Sequence, residues 1–529
     1  MNLNMSFLSY IRIEFFKTIL MTLKSTFFYV FLLSFFFSSY SQTASNNEML
    51  EKIKNEGFNN SQAIAMLGEL TDVYGQRLTG SNEYFEAAKW MSKKMTSVGL
   101  QNVHFESYCD DCRGWSMESF NVEMISPNFM HISAYPLAMS KSTDGIVAGD
   151  VIYIKKYKEL DSIKLKYSGK LKGKIILLGR EPQRKSLTDT IFERYSEAYL
   201  DKMAKQDSAK VKQTYLPDLL KSWEADDVKE EDFLRFLESE GALAVLKSRS
   251  MYLGVLHPDG TYFYKEDHYK PLPYFTIMPE HFGRLSRMLE MNVVPKIRLN
   301  LETSFYFKPE NNVNILAELS GTDKKLKSET VMVGAHFDSW HAGTGATDNG
   351  ASSIVLVEAL RILKAVGYQP KRTIKMGLWG GEEQAFLGSV SYGKKHFGQH
   401  DEKANIESTK VSAYLNLDNG AGAIRGLYLQ NNKYAKPVFR EVFSSITDLT
   451  DGVLTIENTL STDHETFDFY NIPAFQFIQD PLEYNSATHH TELDVLEYVP
   501  EQDVIKNAVI LAWTIYKLSE NKELVPRKK

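Results

Sequence analysis

The chain has only two cysteines in 529 residues, and both lie in one short segment, Cys109-Asp-Asp-Cys112. Two thiolates cannot complete a four-ligand zinc site, and no neighbouring residues supply the missing pair. A redox-active dithiol would need a strand–helix–strand context that this segment lacks. For an exported protein, the favoured interpretation is a local disulfide that closes a tight loop.

Motifs of several common protein classes are also missing. The sequence has no Gly-x-Ser-x-Gly elbow and no Gly-x-x-x-x-Gly-Lys phosphate loop, which argues against a serine hydrolase and a nucleotide-binding protein. The net charge of -6 is mild, and no basic stripe with interleaved aromatic residues is present. Nucleic acid is therefore not an expected partner. The chain also lacks internal repeats and low-complexity linkers.

Residues 1–41 differ from the rest of the chain. A short basic region at Lys24 precedes the apolar run 27–37, and the small residues Ser39 and Ser41 follow it. This pattern predicts a secretory signal peptide that is cleaved after Ser41, and a start at Met21 would leave residues 1–20 untranslated. A membrane anchor is the alternative, but the run is shorter than the ~20 residues that a spanning helix needs. We therefore expect an exported protein, secreted or periplasmic, with no stable membrane anchor.

The length of the chain predicts two domains. Residues 42–129 are expected to form the N-terminal part of a catalytic domain, with two amphipathic helices between residues 61 and 98. Residues 130–305 contain β-rich segments and a charged helical excursion at 185–232, which we interpret as solvated. No ligand-type residues cluster in this block, so we expect a separate, non-catalytic insertion. Residues 306–529 complete the catalytic domain.

The last of these segments alternates apolar runs with helical patterns. Strands are predicted at 313–320, 330–336, 373–379, 411–417 and 473–479, and helices at 350–366, 384–397, 434–446 and 501–519. Such alternation predicts an α/β fold with a mostly parallel mixed sheet and helices on both faces.

Ionisable residues stand at the ends of these predicted strands or in the loops that follow. They are His336, Asp338, Asp348, Glu382, Glu383, Asp418, His489, His490 and Asp494. In open α/β sheets, the loops at the carboxyl ends of the strands converge on one crevice. Crowded acidic and imidazole groups would repel one another or stay unpaired there unless a cation held them together. The sequence therefore predicts a site for more than one metal ion.

Two Zn²⁺ ions fit this set, because zinc binds imidazole nitrogen and carboxylate oxygen. Two ions held about 3.5–4 Å apart require a bridging group, and Asp348 is the expected bridge. His336 and Asp418 would complete one ion, and Glu383 and His490 the other. Three carboxylates and one hydroxide balance the charge of the two ions, and this metal-bound hydroxide is the expected nucleophile.

Glu382 is the expected general base, which takes a proton from the nucleophilic water and passes it to the leaving amine. Asp338 is expected to orient the His336 imidazole by accepting its other N–H, and Asp494 to do the same for His490. His489 competes with His490 as the ligand.

Two other residues have ambiguous roles in the sequence. His464 lies in a segment close to the His-Glu-x-x-His pattern but without its second histidine, so it is a pocket-wall residue or a structural one. Arg425 is either an anchor for a substrate carboxylate or a structural residue.

The motifs in their order resemble the M28 family of zinc exopeptidases, in particular its carboxypeptidase Q-like group. The matching segments are Gly334-Ala-His336-Phe-Asp338, Gly345-Ala-Thr-Asp348-Asn349-Gly350, Trp379-Gly-Gly-Glu382-Glu383, Asn416-Leu-Asp418, His490-Thr491, and the early Tyr74-Gly-Gln-Arg77-Leu-Thr-Gly80-Ser81. The resemblance implies the metal and base roles given above, a strained or cis peptide after Asp348, and an inserted protease-associated domain. It also implies hydrolysis of terminal bonds in peptides or dipeptides, from either the amino or the carboxyl end.

Two alternatives use the same scaffold. A receptor-like binding protein would have lost metal ligands, and a glutaminyl cyclase would keep the ligands of a single zinc, but His336 and Asp418 are both present. The expected partner is a peptide or dipeptide substrate, and the sequence leaves a homodimer open.

Overall fold

The computed structural model describes residues 46–155, 159–182, 188, 190–249, 254–260, 263–399 and 404–528. The expected signal peptide, residues 1–41, lies outside the described residues. Within those ranges, no helix combines the length and apolarity that a membrane crossing requires. The chain divides into a short unit that ends at Glu56 and is helical from residue 46, and a large unit, Gly57–Lys529. All elements named below belong to the large unit.

The large unit contains sixteen named strands and twelve named α-helices among its described residues. The strands are β1 Gln101–Ser107, β2 Gly114–Ser126, β3 Met130–His131, β4 Ala134–Pro136, β5 Val147–Ile154, β6 Lys174–Leu178, β7 Ala244–Lys247, β8 Tyr274–Ile277, β9 Lys296–Tyr306, β10 Val313–Leu319, β11 Thr330–His336, β12 Thr373–Trp379, β13 Val411–Asn416, β14 Ile424–Tyr428, β15 Val453–Thr455 and β16 Ala474–Gln479. The helices are α1 Ala63–Gly68, α2 Asn82–Ser97, α3 Leu160–Tyr167, α4 Glu197–Ala204, α5 Leu216–Ser239, α6 Pro279–Glu290, α7 Ala351–Ala365, α8 Leu387–Phe397, α9 Ile406–Lys410, α10 Lys436–Ser444, α11 His464–Phe469 and α12 Glu501–Glu520.

The first sheet has the strand order β1-β10-β12-β11-β13-β16-β14-β15. Its four central strands, β12, β11, β13 and β16, run parallel, and antiparallel pairs flank them. Every residue of β11 is buried, as the continuous apolar run predicted. The expected α/β fold with a mostly parallel mixed sheet is confirmed.

Helices cover both faces of this sheet, because successive residues of a strand point to opposite sides. On one face, Met332 packs with Tyr392 of α8 and Phe467 of α11. Its neighbours Val331 and Val333 are fully buried, and α7 and α12 contact β11 on that side. Helix α1 contacts α7, and α2 contacts β1 and β10, so the early helices pack on this sheet as expected.

The second sheet has the order β3-β2-β9-β5-β6-β7-β8-β4. Strand β2 pairs with β9 from Gly114 to Ser126, so this sheet begins ahead of the boundary expected at residue 130. Alternate residues of β6 face two separate cores, one with α6 and one with α5. The identification of this module as a protease-associated domain stays a prediction. The expected disulfide between Cys109 and Cys112 is present, with a Cα–Cα distance of 5.6 Å.

The excursion expected at 185–232 is not a solvated appendage where the structure describes it. Leu200 and Met203 of α4 pack with Val453 and Ile478 of the first sheet. Arg194 forms ion pairs with two buried carboxylates, at 2.9 Å and 2.7 Å. The segment 185–232 has few apolar residues, but they are grouped on one side of each helix and are therefore sufficient to anchor it.

Candidate metal centre

The candidate site lies at the carboxyl ends of the central parallel strands. His336 ends β11, the Glu382-Glu383 pair follows β12, and Asp418 follows β13. Gly381 gives the turn after β12 a φ of 69°, a backbone conformation that glycine adopts without strain. Asp348 lies just before α7. This is the crevice in which open α/β sheets place their sites.

One half of the site consists of His336 with two carboxylates. Its Nε2 lies 3.1 Å from Asp348 Oδ1 and 3.2 Å from Asp418 Oδ1. Its Nδ1 lies 3.0 Å from the backbone carbonyl oxygen of Asp338. All of these side chains are buried. The imidazole is therefore held through Nδ1, and its Nε2 points between two carboxylate oxygens.

The other half is built around His490 and uses the second oxygen of Asp348. His490 Nε2 lies 3.0 Å from Glu383 Oε2 and 3.4 Å from Asp348 Oδ2. The two oxygens of Asp348 thus face different imidazoles, His336 on one side and His490 on the other. The structure brings together all five side chains that the sequence assigned as metal ligands, in the grouping that the sequence predicted.

The residues present fit metal ions. Ligand atoms of His336, Asp348 and Glu383 all lie within 4.8 Å of one another. Asp348 Oδ2 and Glu383 Oε1 are buried oxygens without a hydrogen-bond partner in the described part of the chain. Buried carboxylate oxygens without donors are costly, and a divalent cation would satisfy them. Imidazole nitrogens and carboxylate oxygens are also the donor types of borderline divalent ions.

The pKa shifts show that the cluster favours positive charge. Burial and the nearby Asp348 raise the pKa of Glu383 to about 7, although His490 opposes this. Burial alone would lower the pKa of His490, but Glu383 and Asp348 raise it to about 9. Burial would likewise lower the pKa of His336, yet Asp418 and Glu382 place it well above its usual value. Without a metal ion, the carboxylates around these two imidazoles therefore favour the cationic form of each ring.

Glu382 faces the same cavity, and its position is fixed by Asp338. The Asp338 carboxylate accepts hydrogen bonds from the backbone N–H groups of Glu382 at 3.2 Å and Glu383 at 3.3 Å, and from Thr79 Oγ1 at 2.9 Å. The expectation that this carboxylate accepts from the His336 imidazole is corrected, because Nδ1 is closer to the Asp338 backbone carbonyl, 3.0 Å against 3.7 Å for Oδ1.

Asp494 also differs from its expected role. Its carboxylate accepts from Thr347 N at 2.6 Å, Thr347 Oγ1 at 2.7 Å and Asp348 N at 3.2 Å. It therefore positions the loop that carries Asp348 rather than the His490 ring. Burial and the nearby Asp348 raise the pKa of Asp494 to about 7. The peptide bond after Asp348 is cis, as the family resemblance implied.

Arg77 is a structural residue of the site, and the sequence alone gave no role for it. It is fully buried and donates from Nε to the Phe337 carbonyl at 2.7 Å, and from its Nη atoms to Thr344 and Gly345 at 2.8 Å. It thus joins the loop after His336 to the loop before Asp348. Its place in the Tyr74–Ser81 motif was the available signal.

The remaining candidates are resolved by their contacts. His489 Nε2 lies 3.8 Å from Asp348 Oδ2, farther than His490, and its side chain is 41% exposed. His464 is buried, and its Nε2 lies 3.1 Å from the Thr459 carbonyl oxygen, so it is a structural residue. Arg425 pairs with Asp451 and Asp480, so it is not a carboxylate anchor at the cavity.

A cavity of about 410 Å³ opens over the candidate metal ligands. Its described lining consists of Trp223, His336, Asp348, Glu382, Glu383, Ala385, Phe386, Asp418, Asn419, Leu460, Ser461, Thr462, Tyr484, Asn485, His489 and His490. Trp223 belongs to α5, in the segment that the sequence suggested was non-catalytic. Among these described residues there is no lysine and no arginine.

Comparison with known proteins agrees with this geometry. Residues 314–514 match peptidase family M28, and this part of the chain is a peptidase M28 domain. Over most of its length the chain is similar to carboxypeptidase Q. It is 25% identical to the Mus musculus protein over 469 residues, which cover 88% of this chain and 87% of that relative. The Homo sapiens protein is 24% identical with the same coverage of both chains, 88% and 87%. The family resemblance is confirmed.

Solved structures show the same fold. A peptidase M28 precursor from Shewanella amazonensis aligns with a TM-score of 0.67 and 21% identity, over 92% of this chain and 99% of that one. BSAP, a zinc aminopeptidase from Bacillus subtilis, aligns with a TM-score of 0.54 and 18% identity, over 87% of this chain and 95% of that one. At these identities the likeness concerns the fold alone.

Proposed function

We propose that this protein is a di-zinc exopeptidase that removes residues from the free amino end of peptides or dipeptides. The observation that carries the proposal is the position of Asp348, whose two carboxylate oxygens face His336 and His490 separately. Asp418 accompanies the first imidazole and Glu383 the second. Each half therefore offers three ligands and shares one bridging group, as a dinuclear centre requires.

Two Zn²⁺ ions bound there would polarise the scissile carbonyl and make a water molecule easier to ionise. The chain's own residues supply the remaining chemistry. Glu382 lines the cavity and is largely buried, 8% exposed. Burial raises its pKa well above the usual value, and the carboxylates of Asp418 and Asp463 raise it further. A base of raised pKa can accept the proton of the attacking water and donate it to the leaving amine.

Asp338 keeps this base in place through the two backbone N–H groups that it accepts from. Asp494 does the same for the Asp348 loop. Neither carboxylate lines the cavity among its described residues. We therefore assign Asp338 to positioning Glu382 rather than to contact with the substrate.

The charge of the cavity favours attack at the amino end. A free amine is held by carboxylates, whereas a free carboxylate needs an arginine or lysine. The described lining has carboxylates and imidazoles but neither of those cations. Arg249 lies farther out, with Nη1 3.2 Å from His257 Nε2, and the His257 ring is 5.8 Å from the His490 ring.

Blocked dipeptides test the direction of attack. Zinc-loaded protein should hydrolyse a carboxyl-amidated dipeptide and leave the amino-acetylated one intact, and Arg249→Ala should preserve this preference. If the wild type hydrolysed the acetylated dipeptide and Arg249→Ala did not, the protein would instead be a carboxypeptidase that uses Arg249. No hydrolysis of either substrate by zinc-loaded protein would favour the receptor-like alternative, and cyclisation of an N-terminal glutamine would favour the cyclase.

We also propose that the protein is exported, on the basis of the sequence of residues 24–41. N-terminal sequencing of the protein from the medium or periplasm of an expressing bacterium should begin at Gln42. A mature protein that retains the apolar run would contradict cleavage.

A further inference from the structure

Helix α5 carries a continuous apolar stripe into the catalytic part of the chain. Leu216, Leu219, Leu220 and Trp223 follow the spacing of one helix face. They pack in one cluster with Phe386 in the turn before α8, Val390 of α8 and Phe469 of α11. The N-terminal half of this helix is therefore fixed on elements that flank the candidate metal centre.

Trp223 is the member of the stripe that reaches the cavity. Its ring centroid lies 5.3 Å from that of Phe386, with the ring planes at 72°. Phe386 is 3% exposed and comes three residues after Glu383. Trp223, Phe386, Ala385 and Leu460 all contribute to the lining, together with the candidate ligands. The cavity thus has a large apolar wall beside an acidic, metal-binding floor.

The other end of the same helix is anchored in the second sheet. Phe233, Leu234 and Leu237 are buried in a core with Ile176 and Tyr274. Because the helix is fixed at both ends and Trp223 itself packs in the N-terminal cluster, Trp223 forms a wall of defined position. Such a wall distinguishes side chains by the apolar area that they bury against it.

We propose that Trp223 is a specificity-determining residue, which selects substrates whose amino-terminal residue has a large apolar side chain. This proposal rests on the proposed aminopeptidase function. Leucine at the amino-terminal position would contact the indole, whereas alanine would leave part of the wall uncovered. Apolar pockets of this kind discriminate between side chains that differ by a few carbons by about 10- to 200-fold.

The test compares two amidated dipeptides, Leu-Gly and Ala-Gly, on zinc-loaded protein. In Trp223→Ala the ratio of kcat/KM for Leu-Gly over Ala-Gly should fall at least about tenfold, with little change for Ala-Gly. Trp223→Phe keeps an aromatic wall and should retain most of the ratio. Val228→Ala is the matched control, because Val228 lies on the same helix and is 55% exposed, and it should behave like the wild type.

An unchanged ratio in Trp223→Ala, or an equal loss on both substrates, would overturn the proposal. The proposal would also fail if Trp223→Ala changed only the ratio of kcat/KM for Gly-Leu over Gly-Ala, because these dipeptides vary the second residue. If the wild type hydrolyses none of these dipeptides, the proposed function fails, and calorimetric binding of L-leucinamide and L-alaninamide still tests the wall. An equal preference for L-leucinamide over L-alaninamide in the wild type and in Trp223→Ala would then contradict the role of Trp223 as well.

Discussion

Asp348 has a position that no other carboxylate of the site shares. Its Oδ1 lies 3.1 Å from His336 Nε2 and its Oδ2 lies 3.4 Å from His490 Nε2. Burial would raise its pKa, but the hydrogen bond with His336 and the charge of His490 place the pKa below its usual value. The residue is therefore a carboxylate throughout the working pH range and suited to bridging two cations.

Glu382→Gln tests the assignment of the general base. The amide has nearly the same shape but cannot accept a proton, so kcat should fall by about 10²- to 10⁴-fold while zinc content stays at the wild-type level. The measurement pairs steady-state kinetics with metal analysis of the same sample. Glu465→Gln is a control that alters another buried glutamate, which is not part of the described cavity lining and whose hydrogen bond from the Ser461 N–H an amide oxygen can still accept. A glutamine variant with near wild-type kcat would remove Glu382 from this role.

Asp338→Asn tests the positioning of that base. Asparagine has one acceptor oxygen in place of two, so one of the N–H groups of Glu382 and Glu383 loses its partner. We expect a fall in kcat of about 10- to 100-fold with a smaller change in KM. Thr79→Val removes only the hydroxyl donor to the same carboxylate, so kcat should fall less than in Asp338→Asn. An Asp338→Asn enzyme with wild-type kcat would show that the turn keeps its position without this carboxylate.

At the scale of single residues, the sequence predicts well which candidate ligands come together, but it predicts the hydrogen-bond partners of the neighbouring carboxylates poorly. His336, Asp348, Glu383, Asp418 and His490 follow apolar strands or sit in loops, and their position at strand ends brings them together. The partners of Asp338 and Asp494 depend on the course of loops, which the spacing along the chain does not give. Both carboxylates therefore turn out to bind backbone N–H groups rather than imidazoles.

Among the elements, strands with continuous apolar runs are predictable almost to the residue. The observed bounds of β11 and β12, Thr330–His336 and Thr373–Trp379, equal the predicted ones. Helix α8 begins at Leu387 rather than 384, because Ala385 and Phe386 have positive φ in the turn that carries the glutamates. Strands β2 and β9 were missed because neither has a continuous apolar run, although Ile297, Leu299 and Leu301 of β9 alternate with polar residues as in a half-buried strand.

Arg77 provides a test of how loops are joined at the site. Arg77→Met leaves the carbonyls of Phe337, Thr344 and Gly345 without their donors in a buried place. Unsatisfied buried groups cost about 1–3 kcal/mol each, so we expect the free energy of unfolding to fall by about 3 kcal/mol or more. Urea unfolding of the metal-free protein measures this.

The control for Arg77 is Arg298→Met, because Arg298 is about half exposed and pairs with Glu123 on the surface. Surface ion pairs contribute little, so its unfolding curve should stay close to that of the wild type. Equal unfolding curves for Arg77→Met and Arg298→Met would show that Arg77 does not stabilise the two loops.

For the whole molecule, the site is not confined to the segment that holds its ligands. Residues 314–514 form the M28 domain, yet Trp223 comes from α5, and the buried His257 has its ring 5.8 Å from that of His490. The sequence placed both in a non-catalytic block because their chemistry is not visible without the fold. A short apolar stripe in a charged segment is a weak signal, although it was sufficient to anchor the helix.

The metal-free protein should become less stable as the pH rises. The pKa values of Glu383 and Asp494 are raised to about 7, that of Asp463 to about 8, and that of His490 to about 9. Above about pH 6.5 these groups therefore make the native state bind more protons than the unfolded chain, so the free energy of unfolding falls as the pH rises toward about 9. Below about pH 6.5 the lowered pKa values of His257, His341, His464 and His489 oppose this trend. The lowered pKa of Asp348 acts in the opposite sense only below this window.

Thermal unfolding with a chelator checks this, and Tm should be lower at about pH 8.5 than at about pH 6.5. Added zinc competes with those protons, so it should raise Tm more at the higher pH. Asp463→Asn removes one of the raised carboxyl groups and should flatten the dependence. A Tm that rises from the acid to the alkaline condition in the chelated protein would contradict the charge balance described here.

The most direct test of the dinuclear centre is the zinc content of the purified, zinc-loaded and dialysed protein, measured by mass spectrometry. The wild type should hold two zinc ions per chain. Asp348→Ala should lose both, because both halves share its carboxylate, whereas Asp418→Ala should keep one. A wild type without bound zinc, or an Asp348→Ala variant that holds as much as the wild type, would contradict the account.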